Sequence, residues 1–152
     1  MTDGRIVLDS EGGELKFFDV KDGFGMLLAR QAGMKTAIIT AERSRTVAFR
    51  ARRLKVEWVA QYARDKAKAF RHCIAHFGIP AQETAYIGDD LLDLPVLARV
   101  GFAATVADGH PEVKRRVHYV AQSPGGRGAV REIIEFILRA QGAWPKLLQR
   151  YA

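Results

Sequence analysis

Two rhythms of apolar and polar positions alternate along the chain. Runs of four to six residues, apolar almost throughout, predict strands buried on both faces: "KTAIIT" at 35–40, "VEWVA" at 56–60, "TAYIG" at 84–88, "FAATV" at 102–106 and "HYVA" at 118–121. Between them, apolar residues recur every three or four positions. This predicts helices over 44–54 with Ser44 as cap, over 65–77 with Gly78 closing it, over 92–99, over 111–116 with Pro111 near its first turn, and over 129–141. Ahead of these lie a predicted β-hairpin, "RIVLD" and "ELKFFDV" around the turn "SEGG", and a helix over 23–31 stopped near Gly33. Strands that alternate with helices make a parallel sheet with helices on both faces, and such sheets bind ligands at the carboxyl ends of their strands. Residues 1–141 therefore form one α/β domain, and 142–152, with "AWPKLLQRYA" after Gly142, form a tail that is either a loose extension or a contact with a partner chain.

Composition narrows the picture only a little. The 152 residues are 48% hydrophobic, enough for a proper core, and no stretch approaches the roughly 20 apolar residues of a membrane helix. One cysteine, Cys73, excludes an internal disulfide, and no signal peptide is visible after Met1; both fit a cytoplasmic protein. The net charge is +7, and the basic residues are densest in "RSRTVAFRARRLK" at 43–55. A solvated helix face is the first reading of that segment and recognition of a small anion the second. Nucleic acid comes last, because no aromatic residues interleave with the arginines. His72 and His76 lie one turn apart with no third ligand in view, and belong to a solvated face.

The chemistry collects at three strand ends. Thr40 closes one strand, Lys66 follows the loop after the next, and Asp89, Asp90 and Asp93 follow "TAYIG" in "IGDDLLDLPVL". A hydroxyl and an ammonium can hold phosphoryl oxygens. Carboxylates cannot, but they can hold Mg²⁺, which bridges to phosphate. Each residue alone has a plainer explanation: a strand-end threonine, a surface lysine, a pair of aspartates capping a helix. The order of all three is much rarer than any part.

With these residues in place, the chain resembles the haloacid dehalogenase superfamily. Within it the likeness is to the small cap-less 3-deoxy-D-manno-octulosonate 8-phosphate (Kdo 8-phosphate) phosphatases. "KFFDVKDGFGM", "IGDDLLDLPVL", "VADGHPEVK" and "GGRGAVRE" stand in the family's order and spacing, and the likeness covers nearly the whole chain. The resemblance implies a three-layer Rossmann-like fold without a cap domain, and Mg²⁺-dependent hydrolysis of a sugar-acid phosphate in lipopolysaccharide synthesis. It implies Thr40 and Lys66 as catalytic phosphate-holding groups, Asp89 and Asp90 as metal residues with Asp93 supporting their loop, and Arg50, Ser44 and Arg131 at the substrate. It also implies a homotetramer in which hairpins meet between subunits and the segment of Gly125, Gly126, Gly128 and Arg131 approaches a neighbour's site.

The same resemblance exposes departures. The family's nucleophile and acid–base aspartates sit on a first, central strand in Asp-x-Asp-Gly-Val-x-Thr-Asp-Gly. Here Thr2, Asp3 and Gly4 match only the end of that motif, so the sequence is expected to be a shortened version of a full enzyme. That strand would lie between the strands ending at Thr40 and Gly88, which would either keep open edges or close up on each other. Where the family has Thr-Gly-Arg-x-Ser this chain has Thr40-Ala41-Glu42-Arg43-Ser44, so Glu42 stands at the family's arginine with Arg43 adjacent, and Tyr62 stands where a glycine usually follows the glutamine, here Gln61. Two alternatives remain: a phosphatase of the nonulosonate or sialic-acid pathways, and a catalytically inactive oligomeric module.

Overall fold

A computed structural model describes residues 2–151. In chain order it contains β1 (Val7–Leu8), β2 (Glu14–Leu15), α1 (Val20–Gln31), β3 (Ala37–Ile39), α2 (Arg45–Arg53), β4 (Trp58–Ala60) and α3 (Lys66–Phe77). There follow β5 (Ala85–Ile87), α4 (Leu94–Leu97), β6 (Phe102–Thr105), α5 (Pro111–Lys114), β7 (Tyr119–Val120), α6 (Ala129–Ala140) and α7 (Trp144–Leu148). The hairpin forms at the expected place but pairs only Val7 with Leu15 and Leu8 with Glu14. Its turn is held by Asp9, whose carboxylate accepts from the backbone of Glu11 and Gly13. Asp19, Ser44 and Asp65 each cap the helix that follows with a side-chain oxygen, so α1 begins three residues before the position the pattern predicts.

All strands after the hairpin run parallel, in two pieces. β3 pairs with β4, and β5 pairs with β6, which pairs with β7. Successive residues of β5 and β6 turn to opposite faces, as strand geometry requires. Tyr86 and Ala103 join the apolar cluster of Phe70, Val96, Leu97 and Val113 beneath α3, α4 and α5. Ile87 and Ala104 join Ala129 and Ile133 of α6 on the other face. The result is helix layer, sheet, helix layer, and no second domain covers the strand ends among the described residues. β3 and β5 do not close up on each other: neither carries a ladder to the other, although Ile39 and Tyr86 share one apolar cluster.

Two expectations need correction. The helix predicted over 92–99 starts instead as a 3₁₀ turn, Leu91–Asp93, because Asp90 and Asp93 cap each other's backbone N–H groups in a capping box; α4 is only the four residues after it. The tail is not loose. α7 packs on α1 and α6, with Leu147 only 4% exposed in a cluster with Leu28, Ile134 and Leu138. Beyond it, Tyr151 meets Phe24 edge-on at 5.5 Å and its hydroxyl donates to Gln31. Leu147→Ala is therefore expected to cost about 2–5 kcal/mol, measured by thermal unfolding. A change within about 0.5 kcal/mol would mean that the tail contributes no packing.

Candidate active site

Asp93 is the hub of the site. It is 1% exposed, and each of its carboxylate oxygens does separate work. Oδ1 forms an ion pair with Lys66 Nζ at 2.6 Å and accepts the Tyr86 hydroxyl at 2.7 Å. Oδ2 accepts the backbone N–H groups of Asp89 at 3.2 Å and Asp90 at 3.3 Å. One buried carboxylate thus ties the first turn of α3, the strand β5 and the loop after it into a single unit. Gly88 is what lets the loop come so close: a Cβ there would stand 2.4 Å from the Asp93 Cβ. Burial, and then the Asp93 carboxylate, push the Tyr86 phenol far above the usual tyrosine range, so it remains a donor.

The neighbouring carboxylates are left differently. Asp90 spends one oxygen on the Leu91 N–H at 2.7 Å. The Asp89 side chain is exposed and has no hydrogen-bond partner among the described residues, while its carbonyl accepts the His110 N–H at 2.8 Å. Partial desolvation, followed by the negative charge of Asp93, raises Asp89 above the ordinary carboxylate range; Lys66 only partly offsets this. Three carboxylates against one ammonium leave the cluster negative.

Thr40 is joined to this unit through the backbone. Its N–H donates to Ala60 and its carbonyl accepts from Ala63, at the start of the loop that leads to Lys66. Its hydroxyl accepts the Glu42 N–H at 3.2 Å, closing the turn after β3. Hydrogen bonds thus join Lys66, Asp89, Asp90 and Asp93 directly, and Thr40 holds the start of the loop that leads to Lys66.

The other expected residues are placed apart from that path. Ser44 is 2% exposed; its Oγ accepts the Val47 N–H and donates to Glu14, while the Gln61 amide brackets its backbone on both sides. Arg50 donates to the Asp19 carbonyl and lies 5.7 Å from the centre of the Phe18 ring, bracing α2 against the entry to α1. Arg131 pairs with Glu135 and lies over Phe24 at 5.0 Å, between α1, α6 and α7. Its backbone N–H is capped by Asp22 at 3.1 Å, a substitute for the side-chain cap that Gly128 cannot give α6. In the Gly-rich segment, Gly125 donates to Asp108, and Gly126 lies so close to the Thr2–Asp3 backbone that a Cβ would overlap it. Sequence reasoning did not find Tyr86, Gln61, Glu14 or Asp22. Only Tyr86 gave a signal, a hydroxyl on an otherwise apolar buried strand.

The donor set suits a hard divalent cation. No three His, Cys, Asp or Glu side chains converge as a complete cage among the described residues. Mg²⁺ does not require one: it takes one or two carboxylates and completes its shell with water and substrate phosphate. Asp89, unpartnered and in a negative field, is such a carboxylate, with the second oxygen of Asp90 beside it.

Comparison with known proteins shows the family. A family model described as haloacid dehalogenase-like hydrolase matches residues 32–134. The 3-deoxy-D-manno-octulosonate 8-phosphate phosphatase of Yersinia pestis is 42% identical over 141 residues, which are 93% of this chain and 75% of that protein. The chain belongs to the haloacid dehalogenase-like hydrolases, in the Kdo 8-phosphate phosphatase branch. Among solved members of that family, the enzyme of Moraxella catarrhalis, in complex with magnesium ion, phosphate ion and a KDO molecule, superposes with a TM-score of 0.96 at 37% identity, covering 99% of this chain and 87% of that one. A probable YrbI family phosphatase from Pseudomonas syringae also gives 0.96 at 37% identity, covering 99% and 85%. The chain spans about three quarters of the length of its curated relatives.

Proposed function

We propose that this chain binds, and as part of a complete phosphatase site hydrolyses, the phosphate monoester of a sugar acid, with Kdo 8-phosphate as the first candidate. The observation that carries this reading is the Asp93 hub. It fixes the Lys66 ammonium beside the exposed Asp89 carboxylate, at the strand ends where a phosphate binds in this fold. Lys66 has three donors and spends one on Asp93, so it can give another to a phosphoryl oxygen. Thr40 offers its hydroxyl from the end of β3. Asp89, with Asp90, would hold Mg²⁺, which supplies positive charge against the phosphate oxygens. Ser44, Arg50 and Arg131 serve the substrate by fixing α2, α1 and α6 around the site. The test is phosphate release from a panel of sugar-acid phosphates with and without Mg²⁺. Release no faster from Kdo 8-phosphate than from a generic aryl phosphate would count against the substrate.

A second reading, a module that binds the substrate without turning it over, is favoured by the split between β3 and β5, which carry no ladder to each other. For assembly, we infer the homotetramer from the hairpin: Ile6, Leu8, Leu15 and Phe17 are 58–69% exposed, and a second copy would cover them. The cytoplasm remains the proposed location.

Asp89 also gives a pH prediction. With its folded pKa raised, it binds its proton more tightly when folded, so the apo protein gains stability below the ordinary carboxylate pKa and loses it as pH rises through the higher folded value. A cation on Asp89 relieves that loss. The rise in melting temperature caused by millimolar Mg²⁺ should be full at pH 7 and fade on acidification, starting above the pH at which an ordinary carboxylate protonates. A metal effect that does not change down to pH 4 would exclude Asp89 as ligand.

A further inference from the structure

A cleft lies between α2 and β4, and none of the Asp93 hub residues lines it. It measures about 750 Å³, inside the range of small-ligand sites. Arg43, Arg45 and Arg52 line it, and no acidic residue does. None of these three guanidiniums makes an ion pair or side-chain hydrogen bond among the described residues, although other arginines, Arg115, Arg116, Arg131 and Arg139, all find carboxylates. Three like charges around one concavity repel one another and create a positive field that an anion would relieve. Beside the arginines the cleft is lined by the polar Ser44 and Gln61, by apolar residues that include Val56 and the 37% exposed Val59, and by Tyr62.

Tyr62 is the second observation. It is 62% exposed, its φ is +56°, and the Arg43 guanidinium lies 5.8 Å from its ring centre. A bulky side chain in the left-handed region carries a conformational cost, and a large exposed aromatic held there gains little from burial. Tyr62 does, however, line the cleft together with Arg43.

We propose that this cleft binds a nucleoside polyphosphate, with the phosphates on Arg43, Arg45 and Arg52 and the base on the Tyr62 ring. Guanidiniums pair with phosphate oxygens through two parallel hydrogen bonds, and tyrosine offers a flat face to a heterocycle. The cleft also adjoins the candidate active site: Gln61 lines it and holds both backbone groups of Ser44, four residues after Thr40. The proposal does not depend on the phosphatase reading.

Calorimetric titration of the intact chain with ATP, tripolyphosphate and adenosine, without added metal, tests it. Saturable ATP binding is expected, tripolyphosphate binding more weakly and adenosine not at all. Replacing Arg43, Arg45 and Arg52 together by Ala should weaken ATP at least about tenfold. Arg53→Ala, on the same helix but outside the cleft, should not. Because the three arginines are exposed and unpartnered, the triple variant keeps the melting temperature of the parent. Tyr62→Gly separates binding from packing: it should fold without loss of melting temperature yet bind ATP more weakly. Absence of saturable binding, equal affinity for tripolyphosphate and ATP, or loss of binding in Arg53→Ala would each overturn the proposal.

Discussion

Asp93→Ala is expected to lower the melting temperature by about 10 °C and to abolish Mg²⁺-induced stabilisation. The substitution strands a largely buried ammonium on Lys66, a buried phenol on Tyr86 and two backbone N–H groups at once. Removing one partner of a buried ion pair costs about 3–5 kcal/mol, and for a chain of this size each kcal/mol shifts the midpoint by about 2–4 °C. Asn is not a rescue: it keeps an oxygen for one side of the hub but turns an amide N–H₂ toward donors on the other. Thermal unfolding of Asp93→Ala, Asp93→Asn and Lys66→Met resolves the account. Lys66→Met removes the stranded charge, so the Asp93→Ala, Lys66→Met double variant should recover part of the loss. A double variant no better than Asp93→Ala would show that the ion pair is not the source of the cost.

Extending the chain at its amino end with an apolar strand that carries Asp-x-Asp is expected to raise phosphate release from Kdo 8-phosphate by at least about 10³-fold, since loss of a covalent nucleophile costs that much or more in other enzymes. The physical basis is the open space in the ladder. β3 is paired only with β4 and β5 only with β6, and backbone groups left without partners in a buried sheet cost about 1–3 kcal/mol each. A strand laid between them would satisfy both edges and raise the melting temperature as well. Measured together, the two readouts distinguish outcomes. More stability without activity means that the slot is real but the aspartates are misplaced; no change in either means that β3 and β5 do not receive a strand. An extension with Asn-x-Asn should stabilise and remain inactive.

The fold was legible wherever one rhythm of apolar positions persisted. The runs at 35–40, 84–88 and 102–106 all contain strands because nearly every residue in them is apolar, which suits a strand covered on both faces. Each strand came out shorter than its run, since the run also includes residues that turn into loops, such as Thr40 and Gly88. Caps and turns misled at the site: Leu91, Leu92 and Leu94 look helical, yet Asp90 and Asp93 tighten the first turn to 3₁₀. The order of the aspartates, Lys66 and Thr40 along the chain suggested one cluster, and Lys66 does meet Asp93. Ser44, Arg50 and Arg131 could not be placed that way, because a side chain's partners come from elements distant in sequence: Glu14 for Ser44, Asp19 for Arg50, Phe24 for Arg131. The amphipathic pattern of α7 is too short to announce a docking face, and its burial depends on α1 and α6 already being in place.

Asp22 caps a helix that begins more than a hundred residues later; the bond from Arg131 spans 109 positions. The partner of α1 is therefore made more than a hundred residues after α1 begins. Until then the apolar stripe of Leu28 and Ala29 lacks that cover, and closing so long a loop is slow. Newly made chains should thus pass through a sticky, half-assembled stage that ends only once α6 has emerged and docked.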